Sequence, residues 1–162
     1  MSSRSGYSLL QIGLHWLITV LVVAVWFLGE GMEDALDARL ESGATGIAGN
    51  TLHVWLGGLV FALILIRLVV RFTRGAPGPV SAEPAWAAAA ATWGHRLLYL
   101  LMVAVPALGA TTWYLGIEDL GDLHGLVANA LLIVAGLHGL VALWHQFIAR
   151  DGTLMRMLRP GA

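Results

Sequence analysis

The stretch LHGLVANALLIVAGLHGLVALWHQFI, residues 123–148, is apolar over more length than a bilayer is thick, and it carries three histidines. About 20 predominantly apolar helical residues cross a ~30 Å hydrocarbon core, so this segment spans a membrane and tilts or projects beyond it. His124, Leu131, His138 and His145 recur at intervals of seven. In a left-handed bundle a seven-residue repeat keeps one stripe turned inward, so all three histidines are expected to face a bundle core. An ionisable side chain inside a bilayer is costly without a partner and marks function by default.

Three further segments have spanning length: Leu9–Leu28, Leu52–Val70 and Trp93–Leu115. With Leu123–Ile148 they give the expected fold, an all-α membrane protein built as a four-transmembrane-helix bundle, with residues 1–162 forming one domain. Composition agrees. The chain is 58% hydrophobic and 12% charged, about half the charged fraction of a soluble domain, and its mean hydropathy is +0.78. Trp16, Trp26, Trp55, Trp93, Trp113 and Trp144 fall near segment ends, as an aromatic belt does. Pro106 lies inside the third segment and is expected to kink it.

The connections differ in kind. Residues 29–51 read as a Gly-rich acidic loop, and residues 116–122 as a tight acidic turn. Residues 75–92 open with the breaker Gly75-Ala76-Pro77-Gly78-Pro79, and the Ala-rich run Ala85–Ala91 reads as a short helix on the membrane surface. The first segment is too long for the apolar core of a signal peptide, and no small-residue cleavage site follows it. It is therefore expected to be retained.

Charge orients the bundle. The basic residues are nine arginines, with no lysine. Arg4, Arg67, Arg71, Arg74, Arg96, Arg150, Arg156 and Arg159 fall on one side, and Arg39 alone on the other. By the positive-inside rule both termini of this multi-pass protein are cytoplasmic. The opposite face holds Glu30, Glu33, Asp34, Asp37, Glu41, Glu118, Asp119 and Asp122, eight of the ten acids.

Depth then sorts the histidines. His53 and His124 start their helices at the outer side, while His15 lies about 9 Å in from the cytoplasmic side at 1.5 Å per residue. The readings are an outer pair, His53 with His124, and an inner pair, His15 with a histidine of the last helix. Each pair joins different helices, which is how bundles build cofactor sites. Zinc sites want three or four clustered ligands; opposed imidazole pairs suit a haem iron with both axial positions filled. The absence of cysteine excludes disulfides, Cys-ligated iron–sulfur clusters and c-type attachment. Gly57, Gly58, Gly136 and Gly139 lie beside ligand positions, either to admit a flat ring or to pack helices closely. His138 is about 21 Å along the helix from His124, against about 31 Å for His145. The longer spacing would push a second haem out of the hydrocarbon, so His138 is the better ligand and His145 is left for a propionate or a quinone.

The ordered set of segments resembles the bacterial cytochrome b561 family, small four-helix dihaem cytochromes of the inner membrane, over nearly the whole chain. Those segments are Leu10-Gln11-Ile12-Gly13-Leu14-His15-Trp16-Leu17, His53-Val54-Trp55-Leu56-Gly57 and Ile66-Arg67-Leu68-Val69-Val70-Arg71. They continue with Gly94-His95-Arg96-Leu97-Leu98-Tyr99-Leu100-Leu101 with Pro106 and Gly109, Gly136-Leu137-His138, and the tail Asp151-Gly152-Thr153-Leu154-Met155-Arg156-Met157. The resemblance implies two non-covalent, bis-histidine b haems, with ligands falling on His15 and His138 and on His53 and His124. It also implies ubiquinone or another quinone as partner. Some members resemble superoxide oxidases, and others serve hydrogenases and periplasmic dehydrogenases as membrane subunits.

Electron transfer from a periplasmic donor through outer and inner haems to the quinone pool is thus the expected function. Stand-alone superoxide:ubiquinone oxidoreductase activity is the alternative, and a haem-free bundle for transport or structure a third. The acidic outer face has the wrong sign for gathering an anion and suits a basic periplasmic redox protein or dehydrogenase; Arg39 is the one cation that could line an entrance. Arg67, Arg71 and Arg96 are candidates for inner propionates or a quinone head group, beside their anchoring role. His95 and His145 are candidates for delivering protons to a reduced quinone. Lipid is the other expected partner, and nucleic acid is not one.

Overall fold

The computed structural model describes residues 6–78 and 84–161. Arg4 and Pro79, used above for orientation and for the chain break, lie outside the described residues. Four helices among the described residues are long and apolar enough to cross a membrane.

Helix α1, Leu9–Phe27, starts at a capping box in which the Ser8 hydroxyl accepts from the Gln11 amide and the Gln11 side chain accepts from the Ser8 amide. Helix α2, Met32–Ser42, lies between Gly31 and Gly43, both in the left-handed conformation that glycine takes without strain. Helix α3, Leu52–Arg74, is capped by Thr51 and runs four residues past the expected end. Helix α4 spans Ala85–Leu115 and α5 spans Asp119–Trp144. A π-helical turn, His145–Ala149, extends α5, and a 3₁₀ turn follows at Leu154–Met157.

Three connections differ from the sequence reading. The run Ala85–Ala91 is the first part of α4, not a separate surface helix. Alanine is the best helix former, no proline separates it from Trp93, and extending a helix costs far less than nucleating a second one. The acidic connection 29–51 contains α2, and α5 begins at Asp119 rather than Leu123. The carboxylates of Asp119 and Asp122 stand in that first turn, where they oppose the positive end of the helix dipole.

Helix α1 packs on α3, α3 on α4, and α4 on α5, whereas α1 and α5 meet sparsely. The packed apolar core belongs to the first three spans: Ile18, Val60 and Ile64, with Leu21, Val25, Leu63 and Met102 around them. In α5 the one buried residue among those described is Leu131, midway along the histidine stripe. The opposite stripe, Leu126, Ile133, Leu140 and Phe147, is 62–68% exposed. Two faces of one helix, both with a seven-residue repeat, thus separate an inward surface from a lipid-type surface.

Each end of the bundle is covered. At the acidic end α2 buries Leu36 and Arg39. The Arg39 guanidinium donates to the carbonyls of Trp113, Gly46 and Ala48 and lies 4.9 Å from the Trp113 ring centroid. Asn50 links the same region, accepting from the Trp113 indole and donating to the Tyr114 hydroxyl. At the Arg-rich end the C-terminal segment crosses the bundle: the Trp16 indole donates to the Met157 carbonyl at 2.7 Å, and Arg156 donates to the Gly78 carbonyl at 2.7 Å.

Candidate functional site

His53 and His124 come together at the acidic end. Their ring centroids are 6.1 Å apart and their planes cross at 82°. The His53 Nδ1–H donates to the Val25 carbonyl at 3.0 Å. Val25 lies in the last turn of α1, where the final four carbonyls lack helical partners, so the ring satisfies a group that needed a donor. The His124 Nδ1–H donates to the Val105 carbonyl at 2.8 Å. A carbonyl only accepts, so both rings carry the proton on Nδ1 and keep the Nε2 lone pair. That is the arrangement metal-bound imidazoles adopt, with the second ring nitrogen held by a carbonyl or carboxylate.

The spacing fits one metal between two rings. Metal–nitrogen bonds of about 2.0–2.1 Å, plus roughly 1 Å from each nitrogen to its ring centre, give centroids about 6 Å apart. A Cβ added at Gly57, Gly58, Gly136 or Gly139, the glycines near His53 and His138 in sequence, would meet nothing within 4 Å, so none of the four is packed closely against another helix.

At the Arg-rich end the structure gathers three histidines. His15, His138, His95 and Arg67 share one electrostatic neighbourhood. The rings of His95 and His138 are 5.1 Å apart, centroid to centroid, with planes at 76°, and the His95 Nδ1–H donates to the Ala91 carbonyl at 2.6 Å. Arg67 donates to the Gln11 carbonyl at 3.4 Å, which turns its guanidinium toward α1 and His15. Arg71 is half-buried one turn further along α3. Arg96 is exposed and stacks over Trp93 at 4.8 Å, the geometry of an interface anchor.

His145 stands apart from that cluster, in a dyad whose acid was not singled out as a site residue from sequence. Its Nδ1–H donates to Asp151. Asp151 also accepts from the Thr153 amide at 2.9 Å, an Asx-type turn. Burial works against ionisation of Asp151, but the Thr153 hydroxyl and amide and His145 outweigh it, holding the carboxyl below its ordinary range. The turn depends on Arg150, the one described non-glycine residue with positive φ, at 55°.

Arg39 does not line an entrance: it is 6% exposed, with its guanidinium spent on three carbonyls and an indole. The expectation that it could serve an anion at the mouth is corrected by that burial. Sequence reading also passed over the Trp26–Asn129 hydrogen bond, 2.9 Å from indole to amide oxygen, which links α1 to α5 across their sparse contact. The signal was present, since Asn129 is a polar residue inside an apolar span.

The family model for prokaryotic cytochrome b561 matches residues 6–160. The chain is 41% identical to cytochrome b562 of Cereibacter sphaeroides, over 99% of both chains. It is 29% identical to a probable superoxide oxidase of Yersinia pestis, over 94% of this chain and 95% of that one. Identity to cytochrome b561 homolog 1 of Escherichia coli is 28%, over 94% and 96%. Four apolar spans, histidines paired between helices and a family match over almost the full length converge on one assignment: the chain belongs to the prokaryotic cytochrome b561 family.

Proposed function

We propose that this membrane cytochrome carries electrons from a periplasmic donor to the quinone pool through two b haems. His53 and His124 hold the outer one, and His15 and His138 the inner one. Membership of the family already implies haem-based electron transfer across a membrane; the route and the ligands are the proposal. The observation that carries it is the His53–His124 pair, 6.1 Å between centroids, with each Nδ1–H fixed on a backbone carbonyl. When bound, haem supplies the one-electron chemistry. The chain would contribute the imidazole nitrogens that hold it, with tautomers fixed by the Val25 and Val105 carbonyls, and a low-dielectric interior.

Both termini lie in the cytoplasm of a bacterial cell in this reading, which rests on the arginine distribution. The donor then meets a face on which eight carboxylates are joined by a single arginine that is buried. Such a face attracts a basic redox protein or dehydrogenase. At the cytoplasmic end Arg67 and Arg71 would pair with propionates or a quinone head group, a role supported by the turn of Arg67 toward α1. His95 and the His145–Asp151 dyad are the groups available to deliver protons to a reduced quinone. Arg96, stacked on Trp93, serves first as an anchor.

Pyridine haemochrome analysis of purified protein tests this. Two b haems per chain are expected, and fewer than one would sink the reading. Superoxide:ubiquinone oxidoreductase activity is the second reading, favoured by the relative named as a probable superoxide oxidase and opposed by the burial of Arg39. Stopped-flow superoxide decay with ubiquinone decides between them, since rapid quinone reduction would favour the second.

A further inference from the structure

Helix α4 carries one glycine whose missing side chain is occupied by a histidine ring. A Cβ built on Gly109 would lie 2.9 Å from His124 Cε1, 3.1 Å from Nδ1 and 3.6 Å from Nε2. The obstacle is a rigid imidazole, not the end of a flexible chain, and it is held in place by its 2.8 Å bond to the Val105 carbonyl. The surrounding backbone has little room to yield, because α4 and α5 form the most extensive helix pair in the bundle. His53 is different. A Cβ on Gly29 would come no nearer than 3.7 Å to its ring, an ordinary contact. Gly57, Gly58, Gly136 and Gly139 face open space. Among the described glycines, Gly109 alone has an added Cβ within 3.4 Å of a histidine ring.

We propose that Gly109 is a positioning residue for His124: the notch it leaves in α4 seats the imidazole on the Val105 carbonyl and so sets the orientation and basicity of that axial ligand. The inference rests on the haem reading given above. A hydrogen bond from Nδ1–H makes the imidazole a more basic ligand, and ligand hydrogen bonding is one of the protein's levers on haem potential. A more basic ligand favours the oxidised iron. Gly109→Ala pushes the ring off its carbonyl, weakens that donation and makes the outer haem easier to reduce.

The test uses the detergent-solubilised holoprotein. Potentiometric titration and low-temperature EPR are recorded for wild type and Gly109→Ala, and the two haems are told apart with His124→Ala and His138→Ala. The expected result is a more positive potential and shifted low-spin g values for the outer haem, or its selective loss, with the inner haem unchanged. Two unchanged haems would overturn the inference, and so would equal shifts in both, which mark a general packing defect. A wild-type protein without haem would overturn the haem reading itself and this inference with it. Should Gly109→Ala fail to accumulate, ¹⁵N-histidine NMR of the reduced, diamagnetic wild type decides. A slowly exchanging Nδ1 proton on His124, held in its bond to the Val105 carbonyl, supports the seat, and a rapidly exchanging one overturns it.

Discussion

His53 on α3 and His124 on α5 face each other with ring centroids 6.1 Å apart and planes at 82°, each anchored through Nδ1–H to a carbonyl of a third helix, Val25 of α1 or Val105 of α4. All four spans therefore meet at this pair: two supply the rings and two supply the carbonyls that orient them.

Removal of single histidines should separate ligands from neighbours. His53→Ala and His124→Ala are expected to lose the outer haem, and His138→Ala the inner one, leaving one haem per chain. His145→Ala is expected to keep both, because His145 is bonded to Asp151 and stands outside the cluster of His15, His95 and His138. Haem counts on each purified variant check this; one haem in His145→Ala beside two in His138→Ala would reverse the ligand choice.

Arg39→Ala should destabilise the acidic end. The substitution strips three carbonyls of a charged donor and removes the cation over Trp113. Hydrogen bonds from charged groups are worth about 1.5–3 kcal/mol each when lost from buried sites, so a loss of at least ~2 kcal/mol is expected. Arg39→Lys should recover little of it, since an ammonium lacks the planar fork. Thermal unfolding in detergent measures both, and a neutral Arg39→Ala would contradict the burial argument.

The Asp151 turn should weaken in acid. Its carboxyl has a lowered pKa in the fold. An acid of that kind stabilises the fold above its unfolded-state value, here 3.8, and the contribution is lost as pH falls through the lowered one. Hydrogen exchange of the Thr153 amide should therefore be slower in wild type than in Asp151→Asn at neutral pH. The two should converge below the ordinary carboxylate range. A gap that persisted unchanged at low pH would show that the charge is irrelevant.

The Trp26–Asn129 bond is expected to be worth little by itself. Hydrogen bonds between membrane helices average ~0.6 kcal/mol in double-mutant cycles, with a maximum of ~1.7. A cycle of Trp26→Phe and Asn129→Leu should give a coupling in that range. A coupling near zero would mean that α1 and α5 are held together by other contacts.

The four spans were legible because length and apolarity suffice to specify a membrane helix. The inward stripe of α5 was legible for a related reason. Its seven-residue spacing is a property of order in the chain, and the burial of Leu131 against the exposure of Leu126, Ile133 and Leu140 follows it. The ends were read less well. The Ala85–Ala91 run read as a surface helix and the α2 segment as part of a Gly-rich loop, because propensity does not say whether a helix continues or what covers it. Arg39 looked like a free cation for the same reason: its burial depends on Trp113, 74 residues away.

The sequence by itself determined the number of spans, the sidedness of charge and which histidines share a helix face, all consequences of local composition and helical period. Only the tertiary structure decided what each imidazole does with its second nitrogen. The carbonyls of Val25 and Val105 and the notch at Gly109 come from other helices. Backbone groups are the same at every residue, so no pattern of side chains announces which of them will receive a ring.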